Sequence, residues 1–158
     1  MKKITIQTNN PVNEKVYDEK TLTYNEMQQH RQNVYNVMNE IAWYINQTGT
    51  LHDWTKESFF EDYYKDIIER KTETDYKNRE WYKIHTKYER HHINSNPPID
   101  VNLIDIIEMI VDIIITGKTT NNGEINFKYL QIDKELLEEA YWNTIDLIIT
   151  NTSIEPLK

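Results

Sequence analysis

Residues 23–47 place Met27, Val34, Met38, Ile41 and Ile45 at intervals of three and four, the spacing of one apolar helix face, so a long helix with a buried stripe is predicted there. Gly49 stands where a C-terminal cap belongs. A second helix is expected to open within residues 52–58 and run through Arg70. A third, capped by Thr74 or Asp75, continues to about His92. The Asn-Ser-Asn-Pro-Pro run at 94–98 must break any helix, because two prolines cannot occupy a helix interior. The most apolar stretch, 101–116, predicts a fourth helix from about Asp100 to Gly117. Residues 119–123 read as a turn, with a small hairpin near 124–130, and an amphipathic helix over 134–149 closes the chain. Residues 2–7 alternate weakly, as a short strand or an extended arm within the first 20 residues would, and 9–14 are loop-like. The pattern as a whole predicts an all-α, single-domain bundle of five or six helices over 1–158.

Composition narrows the chemistry. Only four prolines and three glycines occur in 158 residues, too few for the turns of a sandwich or barrel. A formal net charge of −8 disfavours broad binding to nucleic-acid backbones but not to a small phosphorylated ligand beside a metal ion. Cysteine is absent, so any metal must rest on imidazole and carboxylate. No signal peptide or membrane span is evident, and the expected compartment is the cytoplasm, a host's if the chain is phage-encoded. Eleven tyrosines and four tryptophans could stack on bases, but their helical spacing fits core or half-buried cover better.

Five histidines and a set of acids carry the candidate site. His30 shares a helix face with Met27, Val34 and Met38, where it is either a satisfied core residue or a ligand. His52, Asp53 and Lys56 (His-Asp-Trp-Thr-Lys) can converge within one helical turn. Imidazole with carboxylate suits a borderline divalent metal, and the ammonium suits a phosphate. An aspartate cap with a solvated lysine fits those residues equally well. His85 and His92, seven apart on the third helix, share a face with Trp81 and Tyr88, with His91 to one side; plain packing explains that stripe as well. Asp105, Glu108 and Asp112 form a narrow stripe on the otherwise apolar fourth helix, and buried carboxylates need a cation or strong donors. Taken together, the set reads as ligands drawn from successive helices.

This order of residues resembles the HD-domain superfamily of metal-dependent phosphohydrolases: His30, then His52 and Asp53, then Asp112, with the extended pattern of Lys56, His85, His91 and His92. It is also similar, over residues 24–118, to a little-characterised family of small phage and bacterial proteins. That likeness rests on His-Asp-Trp-Thr-Lys-Glu-Ser, on the aromatic-rich run from Glu80 to His92, and on Glu-Met-Ile-Val-Asp; Thr55 replaces the commoner serine. The Gly-Tyr-Pro signature of cyclic-di-GMP phosphodiesterases is missing. The resemblance implies a first metal on His30, His52, Asp53 and Asp112, with Asp53 bridging to a second on His85 and His91 or His92.

The expectation is therefore a phosphohydrolase with one or two divalent transition ions (Mn, Fe, Co, Ni or Zn) that activates water against a small phosphate ester, a nucleotide by the resemblance. Asp53 and Lys56 would be catalytic, and Glu108 would orient a histidine or add a carboxylate near the metals. Asp105 either caps its helix or is solvated. Two other readings stay open: a phage factor that binds nucleotide or metal without turnover while acting on host signalling or defence, and an interaction protein whose histidines only pack.

Overall fold

The computed structural model describes residues 3–7, 18–69, 76–120 and 122–155. The architecture is all-α. Six α-helices occur among the described residues: α1 Glu19–Leu51, α2 Trp54–Ser58, α3 Phe60–Glu69, α4 Glu80–Tyr88, α5 Leu103–Thr120 and α6 Lys134–Asn151. Two short strands, β1 Ile4–Gln7 and β2 Thr152–Glu155, pair in parallel with Ile4 opposite Thr152. The expected segments at 9–14 and at the Thr74 or Asp75 cap lie outside the described residues.

The chain forms two compact units, Met1–Asn46 with Ile145–Lys158, and Gln47–Thr144. The first holds most of α1, the end of α6 and the strand pair. Its α1 is longer than the expected 23–47 and contains no buried residue; Met27, Val34 and Met38 are exposed, and Ile41 and Ile45 are only half-buried. A 3.6-residue period reports that one face is apolar, not that anything covers it. Gly49 does not cap α1, which runs through it to Leu51. A helical glycine costs about 1 kcal/mol relative to alanine, too little to end a helix by itself.

The second unit has the larger core. Ile93, Val101, Ile106, Met109 and Ala140 are buried together, with Leu103, Ile110, Ile113, Ile132 and Leu136 packed on them. Ala140 leaves room for the α6 backbone to approach the start of α5. There the Asn143 side chain donates to the Val101 carbonyl (2.9 Å), and the Leu103 amide donates to Thr144 Oγ1 (2.9 Å). Helix α5 starts at Leu103 rather than Asp100, behind a reciprocal cap: Asn102 Oδ1 accepts the Ile104 amide and Asp105 Oδ2 accepts the Asn102 amide. It is also less buried than its apolarity predicts, since Ile107, Val111 and Ile115 are exposed. Gly117 is a close-approach point instead of a stop. A Cβ there would lie 2.7 Å from the Glu124 carbonyl oxygen, so the returning chain needs a glycine. The chain turns at Asn122 and Gly123, both with positive φ, and a 3-10 turn, Phe127–Leu130, replaces the expected hairpin.

Two other elements differ from expectation. The helix expected up to Arg70 is two helices broken at Phe59. Helix α4 stops at Tyr88, so His91 and His92 lie in the following turn and not on the helix face, and Tyr88 is exposed where an inward position was expected. Among the described residues, no helix is long and apolar enough to cross a membrane.

Candidate metal centre

The residues of the cluster described below all lie in the second unit. His52 and Asp53 form the link between α1 and α2, His85 lies in α4, His91 and His92 follow it, and Glu108 and Asp112 are one turn apart on α5. Asp53 adopts φ 61° and ψ 22°, the left-handed region that aspartate tolerates better than most residues. It occupies the N-cap position of α2 yet makes no side-chain cap bond, so its carboxylate is left for other partners.

Those partners are imidazoles. Asp53 Oδ2 lies 3.5 Å from His52 Nε2, and Asp53 Oδ1 lies 3.6 Å from His85 Nε2 and 3.7 Å from His91 Nε2. These separations are too long for hydrogen bonds. They are close to the spacing of donor atoms sharing one ion at about 2.1 Å, which is about 3–3.5 Å. Asp53 Oδ1 is buried with no hydrogen-bond partner, an unfavourable state for a carboxylate oxygen unless a cation answers it. His92 Nε2 stands 2.7 Å from His85 Nε2, and Asp112 Oδ1 faces His52 Nε2 at 3.4 Å. Among the described residues, ligand-competent atoms fall within 4.8 Å of one another in two groups that share His91: His85, His91 and His92, and His52, His91 and Glu108. The donor set fits a divalent transition ion, or two that share a ligand.

Glu108 orients two of the rings. One of its oxygens, Oε1, accepts from His52 Nδ1 (3.0 Å) and His91 Nδ1 (3.2 Å), which directs both Nε2 atoms to Asp53. Burial pushes the Glu108 carboxyl up, but the His52 and His91 hydrogen bonds outweigh it and hold the group at about 2. Asp112 is likewise raised by burial and lowered more by His52, to about 2. The hydrogen bonds that Asp112 and Glu108 accept from His52 lift the imidazole to about 10 against its burial, which favours the doubly protonated ring when no cation is bound. His85 and His92 behave oppositely: burial first, then neighbouring imidazole charge and Lys56, lowers them to about 3 and 4. Both are neutral and available as ligands.

The chain matches the model of a family of unknown function, DUF5662, over residues 19–151. It belongs to that family. No curated protein and no solved structure matches it. In this DUF5662 member, Lys56 is half-buried and its ammonium bonds Asp53 Oδ2, placing a cationic donor at the edge of the cluster. A cleft of about 370 Å³ opens beside His91, His92 and Asp112, with Lys77, Tyr82 and Tyr129 among its walls.

Of the residues expected in the site, His52, Asp53, Lys56, His85, His91, His92, Glu108 and Asp112 come together. His30 is exposed on α1, in the first unit. Asp105 accepts the Asn102 amide at the cap of α5 and pairs with Arg90. Sequence reasoning missed Thr55 and Glu89, both buried against His85. The spacing of four between His85 and Glu89 was the available signal.

Proposed function

We propose that this DUF5662 chain is a metal-dependent phosphohydrolase acting on a small phosphorylated substrate. The reading is carried by one observation: a buried, unpartnered carboxylate oxygen, Asp53 Oδ1, lies beside the Nε2 atoms of His85 and His91, while the other oxygen of the same carboxylate faces His52 Nε2 and the Lys56 ammonium. His52, Asp53, His85, His91, His92 and Asp112 would hold one or two divalent transition ions. A bound ion of this kind supplies Lewis acidity and makes water a nucleophile near neutral pH. Lys56 binds a phosphoryl oxygen and offsets charge that builds there, at the cost of its bond to Asp53. Glu108 keeps His52 and His91 aimed inward, and burial keeps His85 and His92 neutral. The neighbouring cleft falls within the usual size range of small-molecule sites, and Tyr82 and Tyr129 give it flat walls on which a nucleotide's base can rest. Cytoplasmic residence suits such a substrate.

The test is phosphate release from a panel of phosphate monoesters and cyclic and linear nucleotides with added Mn(II) or Co(II). Turnover of at least one member, lost in Asp53→Asn and strongly reduced in Lys56→Met, is the expected result. Metal binding without turnover of any member would leave a binding module instead.

A further inference from the structure

We propose that Thr55 and Glu89 are positioning residues that fix His85 in its Nδ1–H form and thereby aim a bare Nε2 into the cluster. Thr55, His85 and Glu89 are 1%, 2% and 4% exposed, so water cannot stand in for any missing bond. Glu89 Oε1 accepts the Thr55 amide at 2.8 Å and lies 2.6 Å from Thr55 Oγ1. An oxygen already accepting an N–H is an acceptor for the hydroxyl too, so the single Thr55 O–H proton is donated to Glu89. The hydroxyl's remaining capacity is to accept, and what faces it is His85 Nδ1 at 2.8 Å. That nitrogen therefore carries the ring's proton, and Nε2 carries the lone pair. Glu89 cannot do this directly, because its Oε1 is 4.0 Å from His85 Nδ1. The hydroxyl is the necessary link between carboxylate and ring.

The consequence lies at the other end of the imidazole. His85 Nε2 is 3.6 Å from the unpartnered Asp53 Oδ1 and 2.7 Å from His92 Nε2. A proton on His85 Nε2 would block that point to a cation. With Nδ1 protonated, His92 Nε2 can donate to His85 in the cation-free protein, and both lone pairs are released together when His92 shifts its proton. A carboxylate that orients a ligand through a hydroxyl is a longer form of the usual carboxylate–histidine arrangement around metals.

Only the metal-affinity half of the test rests on the metal-centre reading. In metal-free, 15N-labelled protein, long-range 1H–15N correlation reads the tautomer of His85 directly. Wild type and Thr55→Ser are expected as Nδ1–H, and Thr55→Val and Glu89→Gln as partly or wholly Nε2–H. Titrated with Co(II) alone, Thr55→Val should lose about 10–100-fold in affinity while Thr55→Ser, which keeps the hydroxyl, stays at the wild-type value. His85 found as Nε2–H in wild type would overturn the proposal, as would Co(II) affinity unchanged in Thr55→Val. If Thr55→Val does not fold, Glu89→Gln carries both measurements. Wild type that shows the Nδ1–H form but binds no Co(II) would uphold the relay and defeat the metal reading instead.

Discussion

Arg90 and His91 are adjacent, and each reaches an acid on α5, but the two regions they build are opposites. Arg90 meets Asp105 with two bonds, Nε to Oδ1 at 2.7 Å and NH2 to Oδ2 at 2.8 Å, and adds Asp100 at 2.9 Å. Asp105 also accepts the Asn102 amide, so the region is saturated. One turn further along α5, Glu108 and Asp112 meet imidazoles rather than a guanidinium. Imidazole nitrogens not engaged by Glu108 face Asp53, each able to offer a lone pair once free of its proton, and Asp53 Oδ1 is left without a donor. What separates a structural ion pair from a candidate centre is whether the donors run out: a five-donor fork closes its acids, whereas imidazoles leave an opening sized for a cation.

Substitutions can break this contrast. The largest effect is expected for Asp53→Asn, which keeps the left-handed backbone tolerance but removes the charge. Co(II) affinity should fall by more than about 100-fold, beyond what residues that only orient a ligand cost. Urea denaturation of the metal-free variant should show little loss of stability, because Asp53 Oδ1 makes no bond and the asparagine carbonyl can still accept from Lys56 in place of Oδ2. Arg90→Ala should do the reverse. It strands the buried Asp105 and destabilises the metal-free protein by about 3 kcal/mol, the lower end for a broken buried pair because a third of Arg90 is exposed, with Co(II) stoichiometry retained in the folded fraction. Glu108→Gln falls between them: about 10–100-fold in Co(II) affinity with a small change in stability.

The pH dependence of the metal-free protein sharpens the same point. His85 and His92 sit below their unfolded values near 6.5, so the stability they contribute is full above pH 6.5 and is lost as pH falls toward 4 and 3. Glu108 and Asp112, also depressed, lose theirs as pH falls from about 4 toward 2. His52 is raised, so its contribution is full below pH 6.5 and disappears as pH rises toward 10. Denaturation midpoints measured across pH should peak near 6.5, and saturating Co(II) should remove the decline above it by replacing the His52 proton. The smallest effect is expected for His30→Ala. If the second unit holds the ion alone, Co(II) affinity stays near wild type; a loss as large as that of Asp53→Asn would bring α1 onto the centre and restore the full HD-domain pattern.

The acids of α5 were legible in the sequence because a three-and-four spacing on an apolar helix has few solutions, and the His52–Asp53–Lys56 run was legible because its convergence is local. The geometry after α4 was not. No glycine or proline separates Tyr88 from His92, and the helix is ended by a tertiary event, the docking of Glu89 on Thr55, which no local pattern encodes. The α1 stripe misled for the converse reason: Met27, Val34 and Met38 have the right period and remain exposed. Asp105 and Glu108 look alike in sequence, and only the partner each finds, Arg90 or a pair of imidazoles, tells them apart.

The most direct test is equilibrium dialysis of the wild-type chain and Asp53→Asn against Co(II) at neutral pH, with bound metal counted by mass spectrometry and its visible spectrum recorded. One or two ions per wild-type chain, with the absorption of nitrogen-rich coordination and none of it in Asp53→Asn, is the predicted result. Wild type that retains no more Co(II) than the variant would mean that the imidazoles around Asp53 hold no metal.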